Sequence, residues 1–175
     1  MSLSKSPASV PEPVLIALGA NLGDPLTTLD EAVRSLRLEA GLLRVSSPWR
    51  TAPVGGPPGQ PDYINAVALL NPPEDLRDPR QLLDWLLELE RRHGRERTER
   101  WSARTLDLDL LAFGARSLRE PGLERPHPRL EDRAFVLAPL AELWPAWRHP
   151  QSGRSAEELV ARLDTAGVTR LAARW

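Results

Sequence analysis

Cysteine is absent from this 175-residue chain, which excludes disulfides, thiol nucleophiles and thiolate metal sites. Lysine is nearly absent as well. Of 23 basic residues only Lys5 is not arginine, a bias that reads as genome composition, although arginine does bring the planar donor fork that suits phosphate. Net charge is close to nil, at -1, which argues against a protein held to nucleic acid or to a membrane surface mainly by charge. No apolar run approaches the ~20 residues of a membrane span. Residues 1–13 are dominated by Ser and Pro and lack an apolar stretch, so they do not read as a signal peptide and are expected to form a disordered tail. The lack of cysteine is compatible with a reducing, cytoplasmic setting. Residues 14–175 are expected to form a single domain.

What is present centres on residues 100–111. Arg100, Trp101 and Arg104 lead into Leu106-Asp107-Leu108-Asp109-Leu110, where Leu and Asp alternate with the period of a strand. Leu106, Leu108 and Leu110 can enter a core while Asp107 and Asp109 point together to the other side. Side chains two residues apart on a strand lie ~7 Å from each other, so the two carboxylates can share hard cations. Arginines beside such a pair suggest polyphosphate, held by guanidinium and bridged to the acids by Mg²⁺. Taken alone, the D-x-D pattern reads more plainly as a half-exposed strand with its acids in water.

The rest of the chain supplies a context. Val14-Leu15-Ile16-Ala17-Leu18 fits a buried strand that ends in the turn Gly19-Ala20-Asn21-Leu22-Gly23. Asp24 suits an N-cap and Pro25 the first position of a helix whose apolar stripe is Leu26, Leu29, Val33, Leu36 and Ala40. Leu43, Val45 and Ser47 are expected to alternate inward along a second strand. Residues 51–62 form a loop with four prolines and three glycines, long enough to suggest function. A third strand over 63–70 puts Tyr63 and Asn65 on one face. Asp78-Pro79-Arg80-Gln81 opens a second helix to about His93, with Leu82, Trp85, Leu86 and Leu89 inward. Glu90 sits badly for the helix dipole there, which a salt bridge to a nearby arginine would explain. Residues 91–104 carry six arginines and read as a loop that orders around an anion. A fourth strand over 105–113 completes β-α-β-β-α-β.

That order specifies an α+β fold: a ferredoxin-like antiparallel sheet with both helices on one face, followed by a C-terminal extension of hairpin and helices. The uncovered face can then present Tyr63, Asn65, Asp107 and Asp109 to a ligand. The extension is expected to hold a hairpin strand near 114–119, a His127 fixed between two prolines, and a last helix through Leu163. That helix is opened by the capping box Ser155-Ala156-Glu157-Glu158.

These residues resemble a known family. Arg104-Thr105-Leu106-Asp107-Leu108-Asp109-Leu110-Leu111, after Arg100-Trp101, is similar to the signature of the 6-hydroxymethyl-7,8-dihydropterin pyrophosphokinases of folate synthesis. So are Gly19-Ala20-Asn21-Leu22-Gly23, Arg50-Thr51-Ala52-Pro53-Val54-Gly55, Gln60-Pro61-Asp62-Tyr63-Ile64-Asn65, Arg125-Pro126-His127-Pro128-Arg129 and Arg133-Ala134-Phe135-Val136-Leu137, in the family's order. The resemblance implies a single catalytic domain that transfers pyrophosphate from ATP to the pterin's hydroxymethyl oxygen and releases AMP, with two Mg²⁺ ions on Asp107 and Asp109. It implies that Tyr63 and Phe135 sandwich the pterin, that Asn65 and the backbone of Thr51, Ala52 and Val54 read its edge, and that Trp101 seals the site. Arg95 and Arg104 are placed with the transferred phosphates. Glu90, Arg97, Arg100, Leu110, His127 and Arg133 are placed on the nucleotide side.

Two positions depart from the pattern: Ala52 stands where proline is frequent, and Ser102 where glycine or alanine is usual. The expected partners are ATP and the pterin, without nucleic acid or membrane; a monomer is expected, with a dimer left open. Two other readings of the same residues are an RNA-binding ferredoxin-like module and a Mg²⁺-dependent nucleotide hydrolase. The module lacks exposed aromatics on its first strand, and the hydrolase has no use for an aromatic plate.

Overall fold

The computed structural model describes residues 12–54, 58–94 and 105–175. Strand β1 (Val14–Ala20) is the centre of the sheet, and its apolar run is buried along nearly its whole length. Helix α1 (Pro25–Glu39) starts where Asp24 accepts the Thr27 amide and Pro25 supplies a preset φ. Its residues Leu29, Ala32, Val33 and Leu36 are buried, whereas Leu26, expected in the same stripe, is 38% exposed.

The expected second strand is two strands. β2 (Leu42–Val45) and β3 (Trp49–Thr51) both pair with β4 (Tyr63–Leu70). The β2–β4 register shifts between Leu42 and Arg44, so the predicted alternation fails: Leu43 is exposed and Ser46 is buried. One extra residue in a ladder reverses every side chain after it. Helix α2 (Pro79–Arg92) is capped by Asp78, which accepts the Arg80 and Gln81 amides, and it buries Leu82, Leu86 and Leu89. β5 (Asp107–Phe113) begins two residues later than expected and lies at the sheet edge beside β1.

The sheet order is β5-β1-β4-β3, with every neighbour antiparallel, and α1 and α2 pack on one face. This is the expected split βαβ arrangement. A further strand, β8 (Val168–Arg170), extends the sheet beyond β3. β6 (Leu118–Glu120) and β7 (Leu123–Arg125) form a separate hairpin.

The opposite face is not free, contrary to expectation. Helix α3 (Ala134–Leu143) lies across it with the short α4 (Ala156–Val160). Together they bury Leu15, Val67, Leu69, Leu111, Val136, Leu137, Leu140, Leu143, Trp147 and Leu159 in a second core. The capping box at Ser155 is present, but α4 stops at Val160, short of the expected Leu163. Covering most of the face confines the site to the end where α3 begins. No helix among the described residues is long and apolar enough to cross a membrane.

Candidate active site

One register row crosses the sheet at the start of α3. Gly19 on β1 is the partner of both Asp107 on β5 and Asn65 on β4, and Asn65 is in turn the partner of Trp49 on β3. Directly paired residues point to the same face, so acid, glycine and amide form one floor. Gly19 leaves room in that floor: a Cβ there would lie 3.0 Å from Asn65 Oδ1, tighter than an ordinary contact. In the next row of this face Ala17 lies between Asp109 and Val67. Two small β1 residues thus sink a depression in the sheet, which Arg133, Phe135 and Val136 overhang from α3.

The amide end of the floor is fixed. Asn65 Nδ2 donates to Thr51 Oγ1 at 2.8 Å, with both side chains buried. This bond leaves the amide carbonyl of Asn65 on the Gly19 side of the row. Tyr63, two residues earlier on the same face, is half-buried, as is Phe135. The turn after β1 is anchored to the same region, since Asn21 Nδ2 donates to Pro61 O at 3.2 Å.

The acidic end is surrounded by cations. Asp109 Oδ2 lies 3.3 Å from both His127 Nε2 and Arg133 Nη1, and Oδ1 lies 3.9 Å from Arg125 Nη2. His127 is aimed by two backbone bonds. Its amide donates to Leu111 O on the outer edge of β5 at 2.9 Å, and its Nδ1 accepts the Arg129 amide at 3.1 Å. With Nδ1 an acceptor, the ring proton sits on Nε2 and faces the carboxylate. Burial holds the imidazole below its ordinary value, overcoming the pull of Asp109, and Arg133, Arg125 and Arg129 act in the same direction as burial. The result is a neutral Nε2–H donor between two arginines. Arg133 also stands 5.7 Å over the Phe135 ring, at the N-terminus of α3, where the helix dipole favours anions.

Two hard carboxylates at alternate positions on one strand, both partly open to the depression, suit Mg²⁺, which keeps waters and takes further oxygens from phosphate. Three cationic or donor groups around them suit the phosphates themselves.

The structure brings together Asp107, Asp109, Asn65, Phe135, His127 and Arg133, with Thr51 behind the amide and Tyr63 two residues along β4. Ala52 and Val54 follow β3 as exposed residues. Arg95, Arg97, Arg100, Trp101 and Arg104 lie outside the described residues. Two expected nucleotide-side residues have their side chains elsewhere. Leu110 is fully buried in the core under α1 and α2, so its side chain does not reach the site. Glu90 is 2% exposed and its Oε1 accepts the Leu108 amide at 2.7 Å, behind β5 and not in the depression.

Sequence reasoning missed Arg125 as a site residue. The pattern Leu123-Glu124-Arg125 held the signal, because a buried Leu123 on a strand puts Arg125 on the same inward side, where a guanidinium needs a carboxylate. It also missed the structural roles of Ala17 and Gly19. Small residues at the site end of an otherwise bulky strand mark a close approach.

The family model described as 7,8-dihydro-6-hydroxymethylpterin-pyrophosphokinase matches residues 15–145. A Synechocystis protein named 2-amino-4-hydroxy-6-hydroxymethyldihydropteridine pyrophosphokinase is 40% identical over 171 residues, covering 93% of this chain and 84% of its own. A Pseudomonas aeruginosa protein of the same name is 42% identical over 160 residues, covering 90% and 96%. Among solved structures, the wild-type Plasmodium falciparum HPPK-DHPS matches with a TM-score of 0.69 at 12% identity, which supports the fold alone. That match covers 90% of this chain but only 45% of the Plasmodium chain.

Proposed function

The chain belongs to the 7,8-dihydro-6-hydroxymethylpterin-pyrophosphokinase family, and from that premise we propose how its residues share the reaction. It is a transferase that moves pyrophosphate from ATP to the hydroxymethyl group of the dihydropterin, a step in folate biosynthesis. The hydroxymethyl oxygen forms a bond to the β-phosphorus, the bond from that phosphorus to the oxygen of the α-phosphate breaks, and AMP leaves with the bridging oxygen. The hydroxyl proton passes to solvent, so the products are the pterin diphosphate, AMP and a proton. Such a transfer needs alignment, charge neutralisation and exclusion of water more than covalent help.

In this proposal Asp107 and Asp109 would hold two Mg²⁺ ions. The metal supplies Lewis-acid polarisation of the phosphoryl oxygens when bound. Asp109 also orients the hydroxyl proton. Arg133, the cationic partner of Asp109, and His127, a neutral donor facing the same carboxylate, offer their N–H groups to phosphate oxygens. Tyr63 and Phe135 stack the pterin, and Asn65, held by Thr51, reads its amide-like edge. Arg95, Arg97, Arg100 and Arg104, which lie outside the described residues, are assigned to the phosphates by the family resemblance alone, and Trp101 to the pterin. Residues 14–175 act in this proposal as one catalytic unit, with a monomer expected and a dimer left open.

The observation that carries this assignment is the register row Asp107–Gly19–Asn65, which sets the acids and the amide reader on one floor beneath α3. The test is AMP formation from Mg·ATP with and without 6-hydroxymethyl-7,8-dihydropterin. AMP should form only with the pterin, in equal amounts with the pterin diphosphate. Equal AMP release without it would make the chain a nucleotide hydrolase.

A further inference from the structure

The register row that floors the site does not stop at Asn65. Trp49, the partner of Asn65, is also the partner of Arg170 on β8, so the row runs Asp107–Gly19–Asn65–Trp49–Arg170 across five strands. At its far end Glu142 of α3 gathers donors from three residues in two separate parts of the chain. Its Oε1 accepts the Ser47 amide at 3.2 Å, the Ser47 hydroxyl at 2.7 Å and Arg170 Nη2 at 3.1 Å. Its Oε2 accepts the Trp49 indole N–H at 2.7 Å. Arg170 closes the cluster by donating to Ser47 Oγ from Nε at 3.1 Å and from Nη2 at 2.9 Å. Two more bonds fasten the end of the chain to the same strand junction: Leu171 N–H to Pro48 O at 2.9 Å, and Trp175 Nε1–H to Ser46 O at 2.7 Å.

The Arg170–Glu142 ion pair is by itself a weak stability device. The Arg170 and Glu142 side chains are 55% and 25% exposed, and exposed ion pairs contribute little to folding. It is well suited to fixing a position. β3 has three residues, and its ladder bonds alone resist sliding or tilting weakly. Yet β3 carries Thr51, whose hydroxyl holds Asn65, and it leads directly into residues 52–54. A recognition group must be held to within ~0.5 Å of its working position. Glu142 and Arg170 grip β3 at Trp49 from the α3 face and from the β8 edge together.

We propose that Glu142 and Arg170 form a clasp that sets the position of β3 for pterin recognition, making the C-terminal residues 168–175 a positioning element for this substrate. The proposal rests on the assignment of Thr51, Asn65 and residues 52–54 to the pterin. Neither Glu142 nor Arg170 touches substrate; both act through Trp49 and Ser47.

Steady-state kinetics with each substrate varied in turn test this on Arg170→Ala, Glu142→Gln and Glu142→Ala, with Asn65→Ala as a control for the site itself. The clasp predicts a rise of about tenfold in KM for the pterin in Arg170→Ala, with kcat and KM for ATP within about twofold of wild type. Glu142→Gln, which keeps acceptor oxygen but loses charge, should show a smaller rise of the same kind. If Glu142→Ala does not fold, the other two variants decide. An unchanged pterin KM in Arg170→Ala and Glu142→Gln, with a raised one in Asn65→Ala, overturns the clasp and leaves the site assignment standing. A loss of kcat with KM unchanged, tracking a lowered melting temperature, also overturns it. An unchanged pterin KM in Asn65→Ala removes the site assignment itself, and the clasp with it.

Discussion

Asn65 shows how much a single side chain depends on its neighbours. Its amide nitrogen is occupied by Thr51, so its carbonyl is the end left facing the depression beside Gly19. Gly19 has no positive φ to protect, and what it supplies is space. Gly19→Ala should therefore fold normally but push against Asn65 Oδ1, and the amide cannot turn away without breaking its bond to Thr51. We expect a pterin KM raised several-fold, roughly five to tenfold, with unfolding free energy changed by less than about 1 kcal/mol. Titration of both substrates by calorimetry and a denaturant melt would check it, and an unchanged pterin affinity would show that the floor has slack. At this scale the sequence was a good guide to the polar residues, because Tyr63, Asn65, Asp107 and Asp109 follow strand parity. It was a poor guide to the small ones. Gly19 reads with the turn that follows it, and its pairing with Asn65 shows that it makes room.

The elements that carry the acids are held by contacts made far along the chain. β5 is an edge strand, and an edge leaves backbone donors without a ladder partner. Glu90, from the last turn of α2, takes the Leu108 amide between the two site aspartates. Its unfavourable place near the C-terminus of α2 is thereby explained: the carboxylate serves β5, not its own helix. Glu90→Ala should uncover that buried amide, lowering stability by about 1–3 kcal/mol and reducing kcat, with Glu90→Gln restoring most of both because it keeps an acceptor. Chemical denaturation with parallel turnover would test this, and a fully stable, fully active alanine variant would contradict it. The sequence pattern marked Glu90 as out of place but could not say why, since its partner lies 18 residues away on another element. The same limit explains β2: period-2 alternation predicts an inward Leu43, and the register shift that exposes it is set by pairing with β4.

Across the whole molecule, the β-α-β-β-α-β order and the face under α1 and α2 were legible because they rest on local periodicity. The second face was not. Residues 134–143 are almost uniformly apolar, without a helical stripe to read, and contain Pro139. Only the structure shows that they form α3 and close off most of the sheet. That closure narrows the site to one end, where the N-terminus of α3, the two aspartates and the Asn65 amide meet. The short β8 has the same history, since three residues of a strand carry too little pattern to be recognised without the partner they extend. Under the proposed assignment, one floor carries a phosphate-and-metal end at β5 and a pterin end at β4 and β3.

That division is the central claim, and equilibrium binding of each substrate to Asp107→Ala, Asp109→Ala and Asn65→Ala, alongside turnover, tests it most directly. The two aspartate variants should lose turnover by about a thousandfold or more and lose Mg²⁺-dependent binding of a non-hydrolysable ATP analogue, while binding the pterin within about threefold of wild type. Asn65→Ala should do the reverse, keeping nucleotide affinity and losing pterin affinity. Wild-type turnover in either aspartate variant, or equal loss of both ligands in all three, would contradict the account.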